Sequence, residues 1–97
     1  MTVTAMLELA IRPDSADDAL AVIHAVLEAT RAFAGNQGVD VLVDDENPLR
    51  IVLLERWASR EADAAYRAWR AGDGKSNLGS ILASPPVLGL FTPAAGV

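Results

Sequence analysis

Apolar side chains fall on every second position near the start of the chain. The apolar positions are Val3, Ala5, Leu7, Leu9 and Ile11. A period of two predicts a β-strand with one buried face over residues 3 to 11. Arg12, Pro13 and Asp14 then end the strand, because proline has no N–H to donate to a sheet.

A helix is predicted next, ending at about Phe33. Its start is indicated by Ser15 and Asp18, which resemble a capping box with Asp in place of the usual Glu. Spacings of three and four residues give the helix one face that points to the core. That face is formed by Leu20, Ile23, Leu27 and Thr30. Gly35 and Gly38 lie in the turn that follows.

Two strands are predicted at residues 39 to 43 and 50 to 57. Turn-forming residues at 44 to 48 join them as a hairpin. The first strand has its three valines inward and Asp40 outward, which suits an edge strand. The second strand is apolar on both faces at residues 51 to 54. We therefore expect both of its faces to be covered.

Ser59 is predicted to cap a second helix that continues to about residue 71 and ends at Gly72. Asp63 and Arg67, four residues apart, are expected as a pair on its solvent side. A stripe on the opposite side is formed by Ala62, Tyr66 and Trp69.

The remaining elements are a short third helix at residues 75 to 83 and a last strand at residues 87 to 92. The third helix is expected to turn Leu78, Ile81 and Leu82 inward. Pro85 and Pro86 separate the two elements.

The element order is β-α-β-β-α-(α)-β. This order predicts an α+β fold of the ferredoxin-like type, with an antiparallel sheet and helices on one face. Helices cover only one side of such a sheet, yet the strand at 50 to 57 is apolar on both sides. We therefore expect a homodimer in which a second copy covers the open face.

Composition narrows the possible classes. The chain has 97 residues, 52% of them hydrophobic, which fits a single domain over 1 to 97 with a core at about 3 to 92 and a loose tail at 93 to 97. There is no cysteine and one histidine, which excludes thiolate chemistry and a multi-histidine metal site. A net charge of −5 opposes nucleic-acid binding. No apolar run approaches the roughly 20 residues that span a membrane, and we expect a cytoplasmic protein.

The candidate site combines a strand end with the second helix. Strand parity places Leu53, Glu55 and Trp57 on one face, and Tyr66 and Trp69 are expected to face them across a cleft. A carboxylate among apolar groups is a candidate base or hydrogen-bond acceptor for a phenolic substrate. The structural alternatives are that Glu55 is paired with an arginine and that the aromatic residues belong to the core.

Asp63 and His24 complete the residues expected at the pocket. His24 lies between apolar residues of the first helix, and we favour a structural role for it over a catalytic one because no second histidine is present.

The segment at residues 55 to 62 reads Glu-x-Trp-x-Ser-x-Glu-Ala. With the strand ending Ile11-Arg12-Pro13, the helix ending at residues 30 to 35 and the hairpin at 44 to 48, it resembles the antibiotic biosynthesis monooxygenase domain family of dimeric α/β barrels. The resemblance covers about residues 3 to 92. It implies a homodimer with face-to-face sheets and a hydrophobic pocket between sheet and helices in each subunit.

Members of that family include oxygenases that convert phenolic polyketides to quinones. There the deprotonated substrate itself passes an electron to dioxygen, so the resemblance implies that neither metal nor flavin is required. The quinone-forming branch has an Asn and a Tyr at the positions that here hold Leu53 and Asp63, and only Trp57 matches that set. Tyr66 lies one helical turn beyond Asp63. The haem-degrading branch uses a histidine on the later helix, and residues 60 to 92 contain none.

The resulting prediction is a cofactor-independent monooxygenase-like enzyme acting on a hydrophobic aromatic or polyketide-type molecule. Trp57 is expected to wall the pocket, Glu55 to accept a proton or hydrogen bond, and Tyr66 to orient the substrate. The alternatives are a cyclase or isomerase on the same scaffold and a non-catalytic small-molecule-binding accessory protein.

Overall fold

The computed structural model describes residues 2–97; residue 1 of the domain predicted over 1 to 97 lies outside this range. The strands and helices are β1 (Val3–Ala10), α1 (Ala19–Ala32), β2 (Asn36–Val43), β3 (Arg50–Trp57), α2 (Arg60–Ala71) and β4 (Val87–Phe91). Short 3₁₀ segments lie at Pro13–Ser15 and Leu78–Ile81. This order confirms the predicted ferredoxin-like α+β class.

The four strands form one antiparallel sheet in the order β2-β3-β1-β4. β1 and β3 lie at the centre, with Leu7 opposite Leu53 and Val3 opposite Trp57. β2 is an edge strand, as its polar outer face predicted. The central register therefore brings the first and third strands together at the residues expected to form the site.

Both helices pack on the same face of the sheet. Ile23 and Leu27 of α1 lie in one core cluster with Leu7, Leu9 and Leu53. Each such side chain contributes about 1.5–3 kcal/mol when fully removed from water. The alternating pattern of β1 and β3 predicted this face because residues two apart on a strand point to the same side.

The end of the sheet beneath α2 carries an aromatic cluster, formed by Phe33, Trp57, Tyr66 and Trp69. The rings of Trp57 and Tyr66 are 4.9 Å apart between centroids, and Phe33 meets Tyr66 edge-on at 5.4 Å. The stripe predicted on α2 is confirmed by this packing.

The opposite face of the sheet is open and partly apolar. It carries Val52 and Leu54, which are half-buried, and the exposed side chains of Leu42, Val87 and Phe91. Ion pairs cross the strands on this face, among them Arg56 to Asp40 at 2.7 Å. β3 is thus apolar on both faces, but only one of them is covered within the chain.

The start of α1 differs from the prediction. Proline fixes φ near the value of a helical first position, and Pro13 opens a separate 3₁₀ turn that includes Ser15. α1 begins later, and its N-cap residue Asp18 makes no side-chain capping bond. The buried stripe therefore starts at Ala19, and Leu20, which was expected inward, is 54% exposed.

The predicted third helix is also wrong in extent. Only Leu78–Ile81 is helical, and as a 3₁₀ turn. The side chain of Ser76 accepts a hydrogen bond from the Leu78 N–H, and that of Ser80 donates to the Asn77 carbonyl. Such local bonds compete with an α-helix. Ile81 is nevertheless buried, as expected.

Smaller differences concern strand ends. β2 starts at Asn36 rather than 39, with an irregularity in its pairing near Gly38, whose φ of +131° favours glycine. Val43, expected inward, is 44% exposed at the far end of this edge strand. Ser59 accepts the Ala62 N–H as the predicted cap of α2.

Candidate functional site

A cavity of about 280 Å³ lies between the sheet and the helices. This volume is close to the lower end of the range of about 300–1,000 Å³ for small-molecule sites. Its apolar walls come from β1, β3, α1, β4 and the segment before β4: Leu7, Leu27, Leu53, Leu78, Pro86 and Leu88. Its polar residues are Glu55, Tyr66, Arg67, Arg70 and Ser76. A few polar groups in an apolar enclosure are typical of a ligand site.

Glu55 is 1% exposed and forms an ion pair with Arg67. The indole Nε1 of Trp57 donates to the same carboxylate oxygen, Oε1, at 3.2 Å. Arg67 also donates from Nε to Asp63 Oδ1 at 3.2 Å. Within residues 2–97, the hydrogen bonds to Glu55 go to Oε1, so Oε2 is the oxygen that remains as an acceptor for a ligand. Glu55 is thus paired with an arginine, which was one of the alternatives considered from the sequence.

Tyr66 belongs to a second polar group. Its hydroxyl lies 2.6 Å from Thr30 Oγ1 and accepts a hydrogen bond from Arg70 Nε at 2.8 Å. Arg70 Nη2 donates to Thr30 Oγ1 at 3.0 Å and to the Val26 carbonyl at 2.8 Å. Nη1 donates to the Gly74 carbonyl at 3.1 Å. Arg70 thus links α2 to α1 and to the loop after α2.

Leu53, Glu55 and Tyr66 are brought together at the cavity. Trp57 is fully buried beside it, where it holds Glu55 rather than lining the space. Trp69 packs in the aromatic cluster. The roles predicted for these residues remain predictions.

Asp63 and His24 lie elsewhere. Asp63 was expected on the solvent side of α2, but it is 6% exposed, because Arg67 folds over it to reach Glu55 on β3. His24 is exposed on α1 and does not line the cavity.

The sequence reasoning did not single out Arg67 and Arg70 as site residues. Their spacing could have indicated them: Arg67 is four residues after Asp63, and Arg70 is four residues after Tyr66, so each pair lies on one face of the helix. Each guanidinium also lies near the Tyr66 ring, with centroid distances of 5.0 Å and 5.3 Å.

A larger groove of about 440 Å³ lies at the other end of β1. Its charged residues, Glu8 and Arg50, are paired with each other. It contains none of the predicted site residues. The smaller cavity is therefore the better candidate, because it has the greater share of apolar wall and an acid, a phenol and two guanidinium groups converge on it.

Within residues 2–97, no three potential ligands among His, Cys, Asp and Glu are grouped so as to hold a metal ion. In the same range, no helix has the length and apolar character that crossing a membrane requires.

Comparison with known proteins gives matches over nearly the whole chain. Rv0793 from Mycobacterium tuberculosis is 25% identical, with a TM-score of 0.74 over 97% of this chain and 96% of its own. SnoaB from Streptomyces nogalater, a cofactor-independent oxygenase, has a TM-score of 0.80 at 15% identity, over 95% of this chain and 92% of its own. The SnoaB match shows the fold alone.

No match was found among curated proteins. The family described as Antibiotic biosynthesis monooxygenase matches residues 2–74. This range contains β1, both helices, β2 and β3, and with them Glu55, Tyr66 and both arginines of the cavity. The chain belongs to the antibiotic biosynthesis monooxygenase family.

Proposed function

We propose that this protein is a cofactor-independent oxygenase acting on a hydrophobic aromatic or polyketide-type molecule. The observation that carries the proposal is the cavity itself. It combines apolar walls with Tyr66 and with Glu55, whose Oε2 accepts no hydrogen bond from residues 2–97. These groups fit the removal of a proton from a phenolic or similarly acidic substrate.

The reaction follows from deprotonation. Glu55 Oε2 takes the proton, and the substrate anion passes one electron to dioxygen. The substrate radical and superoxide then combine to form a C–O bond. The peroxide takes up a proton and loses water as its O–O bond breaks, which leaves a carbonyl at the oxidised carbon. The two hydrogens that the substrate loses both come from that carbon in an anthrone, whereas in a phenol one of them comes from the hydroxyl group. One oxygen atom enters the product and the other enters water, so the substrate supplies all four electrons.

The protein contributes positioning to this scheme. Trp57 Nε1 and Arg67 hold Oε1, which fixes the carboxylate with Oε2 as its remaining acceptor. Well-oriented general bases contribute about 10²–10⁴ in rate. The apolar walls keep water from competing for the substrate anion.

Oxygen uptake with a panel of anthrones and naphthols tests the proposal. We expect uptake above the uncatalysed rate, with a loss of about 10²-fold or more in Glu55→Gln and a smaller loss in Trp57→Phe, which keeps the ring but not the N–H. Glu28→Gln, on the exposed side of α1, is the matched control and should keep the rate. No uptake with any substrate would refute the proposal, as would unchanged rates in both site variants.

The same pair of groups also favours a second candidate. Glu55 and Tyr66 could transfer protons without oxygen, as a cyclase or isomerase requires. In that case the substrate absorbance changes while the oxygen concentration stays constant. Saturable quenching of tryptophan fluorescence without any turnover would instead indicate a binding protein.

We also propose that the protein is a homodimer formed through the open face of the sheet. The support is the apolar surface left uncovered there, with Leu42, Val87 and Phe91 exposed and Leu54 half-buried at the centre of β3. Burying such a face against its own copy is a favourable closed arrangement.

Native mass spectrometry should give twice the chain mass of 10.2 kDa at micromolar concentration. Leu54→Arg should give the single chain, whereas Leu20→Arg, at a leucine that is exposed on α1, should remain dimeric. A single-chain mass for the unmodified protein contradicts the proposal.

A further inference from the structure

Arg70 differs from the other charged groups of the cavity in having no carboxylate partner. Glu55 is matched by Arg67, which also holds Asp63. The hydrogen bonds of Arg70 go to neutral oxygens, namely Tyr66 Oη, Thr30 Oγ1 and two backbone carbonyls. Within residues 2–97, no Asp or Glu forms an ion pair with Arg70. A partly buried cation without a counter-ion attracts an anion to the space it faces.

The position of this charge is fixed. The Arg70 guanidinium stacks 4.8 Å from the Trp69 ring, and Nη1 binds the Gly74 carbonyl. Gly74 is buried against the same ring, where a Cβ would lie 2.2 Å from the Trp69 side chain. Glycine therefore lets the loop approach closely enough to hold Arg70, and the charge needs little reorganisation to meet a ligand.

The hydrogen bond between the hydroxyl groups of Tyr66 and Thr30 uses only one of their two protons. Each hydroxyl group has one proton, and the two oxygens are 2.6 Å apart. Both oxygens also accept from Arg70. Thr30 is fully buried, whereas Tyr66 lines the cavity. With Thr30 donating to Tyr66, the phenolic proton is available to a ligand, and the Arg70 charge strengthens it as a donor.

We propose that the cavity binds its aromatic or polyketide-type ligand through an anionic oxygen, a phenolate or enolate, to which Tyr66 donates a hydrogen bond while Arg70 supplies the opposing charge. Arg70 acts here as a positioning residue for Tyr66 and determines the preference for anions over neutral molecules. The inference rests on the proposed function in that both use this cavity.

Among residues 2–97, none of the other charged groups near this oxygen is bonded to Arg70. Arg67 contacts both Glu55 and Asp63, so these three side chains together carry one negative charge, and that charge is held at Arg67. The loop that holds Arg70 carries Asp73 and Lys75, both exposed and of opposite charge. The groups of α1 that accept hydrogen bonds from Arg70 are the Val26 carbonyl and the Thr30 hydroxyl, and both are neutral.

The test uses a nitronaphthol, whose phenol and phenolate absorb differently, and its methyl ether as a neutral probe of similar shape. We expect the phenolate to bind about tenfold more tightly than the phenol, which lowers the apparent pKa of the bound probe by about one. Arg70→Met keeps an unbranched apolar side chain without the charge. It should bind phenol and phenolate about equally and should still bind the ether. Arg70→Lys should restore part of the preference for phenolate.

Two further variants complete the test. Tyr66→Phe removes the donor and should weaken phenolate binding but not ether binding. Arg12→Met removes an exposed arginine paired with Asp14 and should leave both affinities unchanged. Circular dichroism shows whether each variant is folded. If Arg70→Met does not fold, the ratio of phenolate to phenol affinity in the unmodified protein still tests the inference.

Equal binding of phenol and phenolate by the unmodified protein overturns the inference, as does a folded Arg70→Met that keeps the preference or a failure of both probes to bind. Oxygen uptake separates this inference from the proposed function. A preference for phenolate without oxygen uptake supports the inference and contradicts the proposed oxygenase function. Oxygen uptake without a preference for phenolate supports the oxygenase function and contradicts the inference.

Discussion

Replacing Arg67 with methionine should destabilise the protein by about 3 kcal/mol, because Arg67 pairs two buried carboxylates. Its side chain is 26% exposed, while those of Glu55 and Asp63 are 2% and 8% exposed. Removing one partner of a buried pair typically costs about 3–5 kcal/mol, and the partial exposure of Arg67 places this case at the lower end. Domains of this size have total stabilities of about 5–15 kcal/mol.

A double-mutant cycle separates the pair from the packing. Glu55→Gln alone should cost about 2 kcal/mol, since the amide still accepts from Trp57 but loses the charge-assisted bond to Arg67, which keeps Asp63 as its partner. The double variant Arg67→Met with Glu55→Gln should be more stable than the sum of the single effects by about 1.5 kcal/mol or more.

Urea unfolding followed by circular dichroism measures these differences, at one protein concentration throughout because dimerisation adds to the apparent stability. Arg12→Met is the matched control: its pair with Asp14 has side-chain exposures of 50% and 69%, and surface pairs contribute about 0–1 kcal/mol. An Arg67→Met variant within about 1 kcal/mol of the unmodified protein, or strictly additive effects in the cycle, would refute the reasoning.

Two further predictions concern the loops. Gly74→Ala should lower the free energy of unfolding by about 1–3 kcal/mol and alter the fluorescence of Trp69, since its Cβ would lie 2.2 Å from that ring; unchanged stability and spectrum would contradict this. The backbone N–H of Glu46, which donates to the carboxylate at 2.8 Å, is the main cause that lowers the pKa of Asp44 from 3.8. A carboxyl group whose pKa is lowered on folding stabilises the folded protein at any pH above its pKa in the unfolded chain. This stabilisation is lost as the pH falls through its pKa in the folded protein. Asp44→Asn should therefore be less stable than the unmodified protein at pH 7 in urea unfolding, with the difference reduced near about pH 3; a difference independent of pH would contradict this.

The alternating pattern was enough to predict much of the sheet. β3 spans the predicted residues 50 to 57, and the cap at Ser59 is in place, because both depend on interactions between residues close in the chain. The first strand and the edge position of β2 were predicted for the same reason.

The polar network of the site could not be predicted in that way. Thr30 and Tyr66 are 36 residues apart, and Arg70 and Val26 are 44 apart. A charged pair four residues apart on a helix is ordinarily solvent-exposed, so Asp63 and Arg67 were placed on the wrong side. Only the packing of α2 against β3 makes a second carboxylate available to Arg67.

The two arginines have a consequence for motion. One turn of α2 is tied to β3 through Arg67 and to α1 through Arg70. Swinging this helix away from the sheet would break both attachments at once. Widening of the cavity is then a rare, cooperative event rather than a continuous fluctuation. Amide hydrogens in the middle of α2 should therefore exchange together and slowly.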